Sequence, residues 1–171
     1  QAFANNLPNV AVHDLVLQPT AKELIIATHG RSLYKANVAS LQKMTADILL
    51  KSTHIFPIDA IKKNNSWGRS WSQWRTAYTP EIKIPFYSNA DAKITVGIYL
   101  GAVNVNSISI AANSGFNEAM FDASFSEKGK KMYEKANKKV ELKAAKNGVF
   151  YLPKGKYVIK IGVAESAFEV K

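Results

Sequence analysis

The chain contains no cysteine. That excludes disulfides, thiolate nucleophiles and cysteine-ligated zinc. No apolar run approaches the ~18 residues a membrane-spanning helix needs, so no transmembrane segment is expected. Acidic side chains are scarce: 13 stand against 23 basic ones, for a net charge of +10. The glycine-rich phosphate signatures are missing, both the P-loop and G-x-G-x-x-G, and with them any implied cofactor. The serine elbow G-x-S-x-G is missing too. No signal-peptide layout opens the chain, and its first residue is Gln1 rather than Met, which leads us to expect a processed or excised piece.

What is present is a chain of 171 residues, 47% apolar and 21% charged. This is enough for one domain or two small ones with a real core. The positive excess is uneven. Residues 61–80 carry four basic groups and no acidic one, and residues 127–146 carry eight lysines against three glutamates. Such segments can steer anionic partners, although a solvated surface is the simpler reading.

The first 40 residues read as strands. "VAVHDLVLQP" (10–19) alternates, "ELIIATHG" (23–30) is short and apolar, and "RSLYKANV" (31–38) follows through a tight turn at "HGRS". "SLQKMTADILLKS" (40–52) is helix-like, with Ser40 as cap and Leu41, Met44, Ile48 and Leu49 on one face. Residues 53–80 read as a connector with little regular structure. From Glu81 onward, short alternating segments recur: Ile82, Ile84, Phe86; then Ile94, Val96, Ile98, Leu100; then Ile108, Ile110; and finally Tyr157, Ile159, Ile161, Val163. "GFNEAMFDASF" (115–125) is a further strand candidate, and "AFEVK" ends the chain. Alternation with polar partners predicts antiparallel strands with one wet face, hence a small β-sandwich. A Lys/Glu/Ala-rich stretch near 126–146 predicts a helical insertion capped by Ser126, with Met132, Ala136, Val140 and the Lys139 stem as a thin apolar stripe. Gly129 weakens that helix by ~1 kcal/mol relative to Ala.

The expected organisation is therefore mainly β: a three-stranded meander and short helix over 1–52, a connector over 53–80, and a sandwich with one helical insertion over 81–171. The stretch 7–42 adds a resemblance. Leu7, Pro8, Val12, His13, Asp14, Pro19, Thr28, His29, Gly30, Arg31, Ser32 and Tyr34 match the pattern L-P-x-x-x-V-H-D, P, T-H-G-R-S-h-Y. This resembles the last propeller blade of bacterial secreted proteins with sortilin-like or BNR "glycosyl hydrolase" repeats. Such proteins often continue into an Ig-like or fibronectin-like sandwich, which "GFNEAMFDASFS" and "PKGKYVIKIGV" resemble here. The resemblance implies a partial blade followed by that sandwich, in a secreted or cell-envelope protein. One blade cannot bury its faces alone. The expected partners are therefore further propeller blades or another envelope protein.

The densest polar pairs are His13 with Asp14 and His29 with Arg31. Histidine serves as base or metal ligand. Two histidines and one aspartate are too few to fix a metal, so we expect a structural cluster in which Asp14 pairs with Arg31. No carboxylate pair has the spacing a glycosidase needs. The S-x-D-x-G-x-x-W box of the BNR repeats is also absent. This segment is expected to be non-catalytic, whatever activity a parent protein carries. Asn64-x-Ser66 is a glycosylation sequon by pattern only.

The remaining feature is "NNSWGRSWSQWRTAY" (64–78), which holds all three tryptophans. Trp67, Trp71 and Trp74 are spaced as on one helical face, with Arg69 and Arg75 off it. Rings flanked by guanidinium groups suit sugar stacking or single-stranded nucleic acid. Large aromatics are more often buried, which favours a seam between two folded pieces. The expected function is a non-catalytic interaction or scaffold region. The alternatives are an accessory carbohydrate-binding part of a glycoside hydrolase and a secretion or sorting domain of the envelope. Nucleic acid is the least favoured partner.

Overall fold

A computed structural model describes residues 7–138 and 141–171. The chain divides into two units after Leu49. The first is an antiparallel meander of β1 (Val12–Gln18), β2 (Glu23–Thr28) and β3 (Leu33–Asn37), in the order β1-β2-β3. The register places Leu15 opposite Ile26 and Leu17 opposite Leu24. Across the next ladder, Ile26 faces Tyr34 and Leu24 faces Ala36. One side of the sheet is thus apolar, because pairs directly opposite share a face. Ile26 in the central strand is buried, whereas every residue of β1 is exposed. The ladder shifts between Val12 and Asp14, leaving a bulge at His13. Gly30 and Ser32 take positive φ angles of 67° and 89° in the β2–β3 turn.

The helix expected over 40–52 is not continuous. A 3-10 turn spans Leu41–Lys43, and α1 spans Ala46–Leu49. Between them Met44 is extended, and Ser40 makes no side-chain cap. Neither piece buries a residue, so no packed apolar face sustains a longer helix.

The second unit is an antiparallel β-sandwich. One sheet has the order β4-β5-β8, from β4 (Thr53–Ile55), β5 (Ile82–Ser88) and β8 (Gly115–Phe121). The other has the order β10-β9-β6-β7, from β6 (Ala92–Leu100), β7 (Val103–Ala112), β9 (Gly155–Ile161) and β10 (Ala164–Val170). The alternating residues form the shared core: Ile82, Ile84 and Phe86 from one sheet meet Val96, Ile98, Tyr157, Ile159 and Ile161 from the other. The sandwich begins earlier than the hydrophobic alternation indicates. "THI" at 53–55 pairs with β5, His54 facing Tyr87, and Ile55 and Phe56 are buried. The stretch read as a free connector therefore supplies the first strand of the sandwich and a long loop between β4 and β5. A three-residue strand is too short to show period two.

Helix α2 (Glu127–Ala136) follows β8 and packs on β7. Ser126 caps it, its hydroxyl accepting the Gly129 N–H at 3.0 Å. The helix ends at Asn137, about ten residues short of the expected insertion. Its anchor is Tyr133, buried with its ring 5.2 Å from that of Phe125. Met132 is only half-buried and Ala136 is exposed. Lys139 and Val140 lie outside the described residues. No helix among the described residues is long and apolar enough to cross a membrane.

Candidate functional site

Two groups of residues were singled out by sequence, and they lie in different units. In the meander, the β1 bulge and the β2–β3 turn bring His13 and His29 together. His29 Nδ1 lies 3.0 Å from His13 Nε2, with the ring centroids 4.9 Å apart. The two imidazoles share one hydrogen bond, whose direction depends on the tautomers. Asp14 and Arg31 do not form the expected ion pair, which is not among the salt bridges of the described residues. The Asp14 carboxylate instead accepts the Leu15 backbone N–H at 2.8 Å, a local bond that the bulge makes available. No cluster of three or more potential metal ligands occurs among the described residues.

The second group lies in the loop between β4 and β5. Its base is pinned to the sandwich by parallel pairing along β10. The Ile61 N–H donates to the Glu169 carbonyl at 2.9 Å, and the Lys63 N–H to the Lys171 carbonyl at 2.8 Å. Asn64 Oδ1 then accepts the Ser66 N–H at 2.8 Å, an Asx turn that reverses the chain. The neck of the loop closes at Gly68 and Tyr78. The Gly68 N–H donates to the Tyr78 carbonyl, and the Tyr78 N–H returns to the Arg69 carbonyl, each at 2.8 Å. Inside the loop, the Ser70 hydroxyl lies 2.5 Å from the Arg75 carbonyl. Gly68 has φ +73°, and a Cβ there would lie 2.5 Å from both Ala145 Cβ and Asn147 Oδ1. Only glycine permits this approach.

This geometry separates the three tryptophans. Trp67 is 5% exposed, while Trp71 and Trp74 are 95% and 87% exposed. The expectation of three indoles buried in a seam is thus corrected. The i, i+4, i+7 spacing has no helix to act on, because 64–78 is a succession of turns. Trp67 packs edge-on to Tyr151 at 5.7 Å, within the sandwich unit itself. Trp71 and Trp74 line an open groove of about 1110 Å3 together with Arg69, Arg75, Tyr78 and Glu81.

A smaller cavity of about 250 Å3 adjoins it, with Arg69 lining both. Lys63, Trp67, Lys143, Lys146 and Tyr151 are among its other walls. The Lys63 ammonium donates to the Leu152 carbonyl at 2.9 Å and sits 5.9 Å from the Trp67 ring centroid. Burial pushes its pKa below the ordinary lysine value. Tyr78, Lys63, Lys143, Lys146 and Tyr151 were not candidates from sequence. The one signal for the lysines was their membership of the two basic segments. The arrangement supplies flat apolar faces, cations and hydrogen-bond donors around two adjoining hollows.

No known protein family matches the chain, and no curated protein is similar to it.

Proposed function

We propose that this chain is a non-catalytic binding and scaffold module of a secreted or cell-surface protein, with polysaccharide as the ligand of the 69–78 loop. The observation that carries the reading is the exposure of Trp71 and Trp74 beside Arg69, Arg75 and Tyr78. An exposed indole leaves up to ~200 Å2 of mostly apolar surface in water. Two such rings on one pinned loop are a feature that a ligand explains and a core does not. Indoles stack on the C–H faces of sugars, and guanidinium groups and a phenol at the rim bind hydroxyl or acidic substituents. The loop's short neck and its Ser70 bonds limit the entropy lost on binding. The placement next to a propeller in a secreted protein rests on the resemblance of residues 7–42.

The test is a glycan array probed with the full chain and with Trp71→Ala and Trp74→Ala. Glycan binding lost in both variants, with unchanged thermal stability, supports the reading. Absence of any glycan binding by the parent chain rejects it.

A further inference from the structure

We infer that the saccharide taken by this loop is anionic, its acidic group seated among the cations beside the exposed indoles. The inference rests on the polysaccharide reading above and specifies its ligand. The chain's positive excess falls in two segments, 61–80 and 127–146, far apart in sequence. Folding brings them together. Lys63 and Arg69 from the first segment line one cavity with Lys143 and Lys146 from the second. The close packing of Gly68 against Ala145 and Asn147 holds the two backbones in contact at this point.

Among the described residues, no carboxylate lines this cavity. None of the four cations belongs to a salt bridge among the described residues. By contrast, Lys35, Lys83, Lys130, Lys160 and Lys171 each have a carboxylate partner. Four cations converging on a concave surface repel one another, and a bound anion relieves that repulsion. The cavity's 250 Å3 equals the liquid volume of several waters at ~30 Å3 each, enough for a carboxylate or sulfate group with part of its ring. Arg69 lines both this cavity and the groove of Trp71 and Trp74, so one oligosaccharide can place its charge in the first and stack its neighbouring rings in the second. A nucleic acid offers rings and charge as well. It carries its phosphates in a regular row, whereas Lys63, Arg69, Lys143 and Lys146 line a single cavity.

The test compares acidic ligands with their neutralised forms by titration calorimetry on the full chain. The probes are an oligogalacturonate with its methyl ester and a heparin-derived oligosaccharide with its desulfated, N-acetylated and carboxyl-reduced form. At least one acidic form should bind about tenfold more tightly than its neutral counterpart, a difference of about 1.4 kcal/mol. The gap should close as NaCl rises from about 20 to about 500 mM, where the screening length shrinks below ~5 Å. Lys143→Gln combined with Lys146→Gln should remove the acidic preference while leaving neutral binding, and Trp71→Ala should weaken both. Equal binding of acidic and neutral forms overturns the inference, and so does binding of neither acidic probe. If neutral glycans still bind through Trp71 in those cases, the polysaccharide reading survives. Tighter binding of a single-stranded oligonucleotide than of either acidic glycan overturns the saccharide assignment.

Discussion

Gly129, in the first turn of α2, lies against Val105 of β7 so closely that a Cβ there would sit 1.9 Å from the Val105 carbonyl oxygen. That same carbonyl accepts the Ser126 N–H at 3.0 Å, locking the start of the helix to the strand. Helix propensity alone makes Gly129→Ala stabilising by ~1 kcal/mol. The tertiary contact reverses the sign, because the obstacle is backbone and cannot rotate away. Gly129→Ala should destabilise the chain by roughly 1–3 kcal/mol or more. Urea unfolding of the variant checks this, and an unchanged or raised midpoint would show that helix and strand can separate.

The three tryptophans should behave as two kinds of residue. Trp67→Ala empties a site walled by Tyr151 and Lys63 and should cost about 3–5 kcal/mol. Trp71→Ala and Trp74→Ala remove exposed rings and should change stability by less than about 0.5 kcal/mol. Thermal melts of the three variants separate these outcomes. Comparable losses in all three would restore a packing role for the loop.

His54 gives the sandwich an acid-sensitive point. It lies in β4, edge-on to Phe56 at 4.9 Å. Burial, and secondarily the Lys51 charge, holds its pKa below the usual imidazole value. The folded state therefore resists a proton that the unfolded chain accepts. Stability should be unaffected above the unfolded value of ~6.5 and should fall as pH drops from there toward the lowered folded value. His54→Gln should flatten this limb. Denaturant midpoints between about pH 8 and pH 5 provide the comparison.

Tyr157 gives the opposite limb. Its ring stacks on Phe168 at 5.3 Å, and its hydroxyl donates to the Pro153 carbonyl at 2.7 Å. Burial, reinforced by the neighbouring Tyr133 phenol, pushes its pKa far above the ordinary tyrosine value. The unfolded chain ionises above pH ~10 while the folded chain does not, so stability should decline as pH rises beyond that point. Tyr157→Phe should cost about 1 kcal/mol at neutral pH through the lost hydrogen bond and should remove the alkaline decline. A variant with the parent's alkaline slope would place the ionisation elsewhere.

Much of the fold was legible from periodicity. Ile82, Ile84 and Phe86 alternate because they share the face of β5 that meets the opposite sheet, and Val96 and Ile98 do so in β6 for the same reason. Ser126 was readable as a cap because an N-cap acts within one turn. The 40–52 helix misled because an apolar stripe predicts a helix only where a surface exists to cover it. Strand β4 was invisible because its three residues are specified by their partner, β5, rather than by their own pattern. In the candidate site, composition singled out 64–78 but could not sort its indoles. Trp67 and Trp71 have almost the same neighbours in sequence, Ser66 and Gly68 against Ser70 and Ser72.

Sequence by itself determined what is local or periodic: the antiparallel strands, the helix cap, the absence of thiol chemistry, and the two segments of positive charge. Each follows from backbone geometry, side-chain alternation or simple counting. Tertiary structure decided everything that depends on a distant partner. It chose which tryptophan is buried, because Tyr151 and Lys63 arrive only beside Trp67. It made Gly68 and Gly129 obligatory by bringing other chain segments within van der Waals contact. It also gathered Lys63, Arg69, Lys143 and Lys146 around one cavity, turning two separate runs of charge into a single basic site.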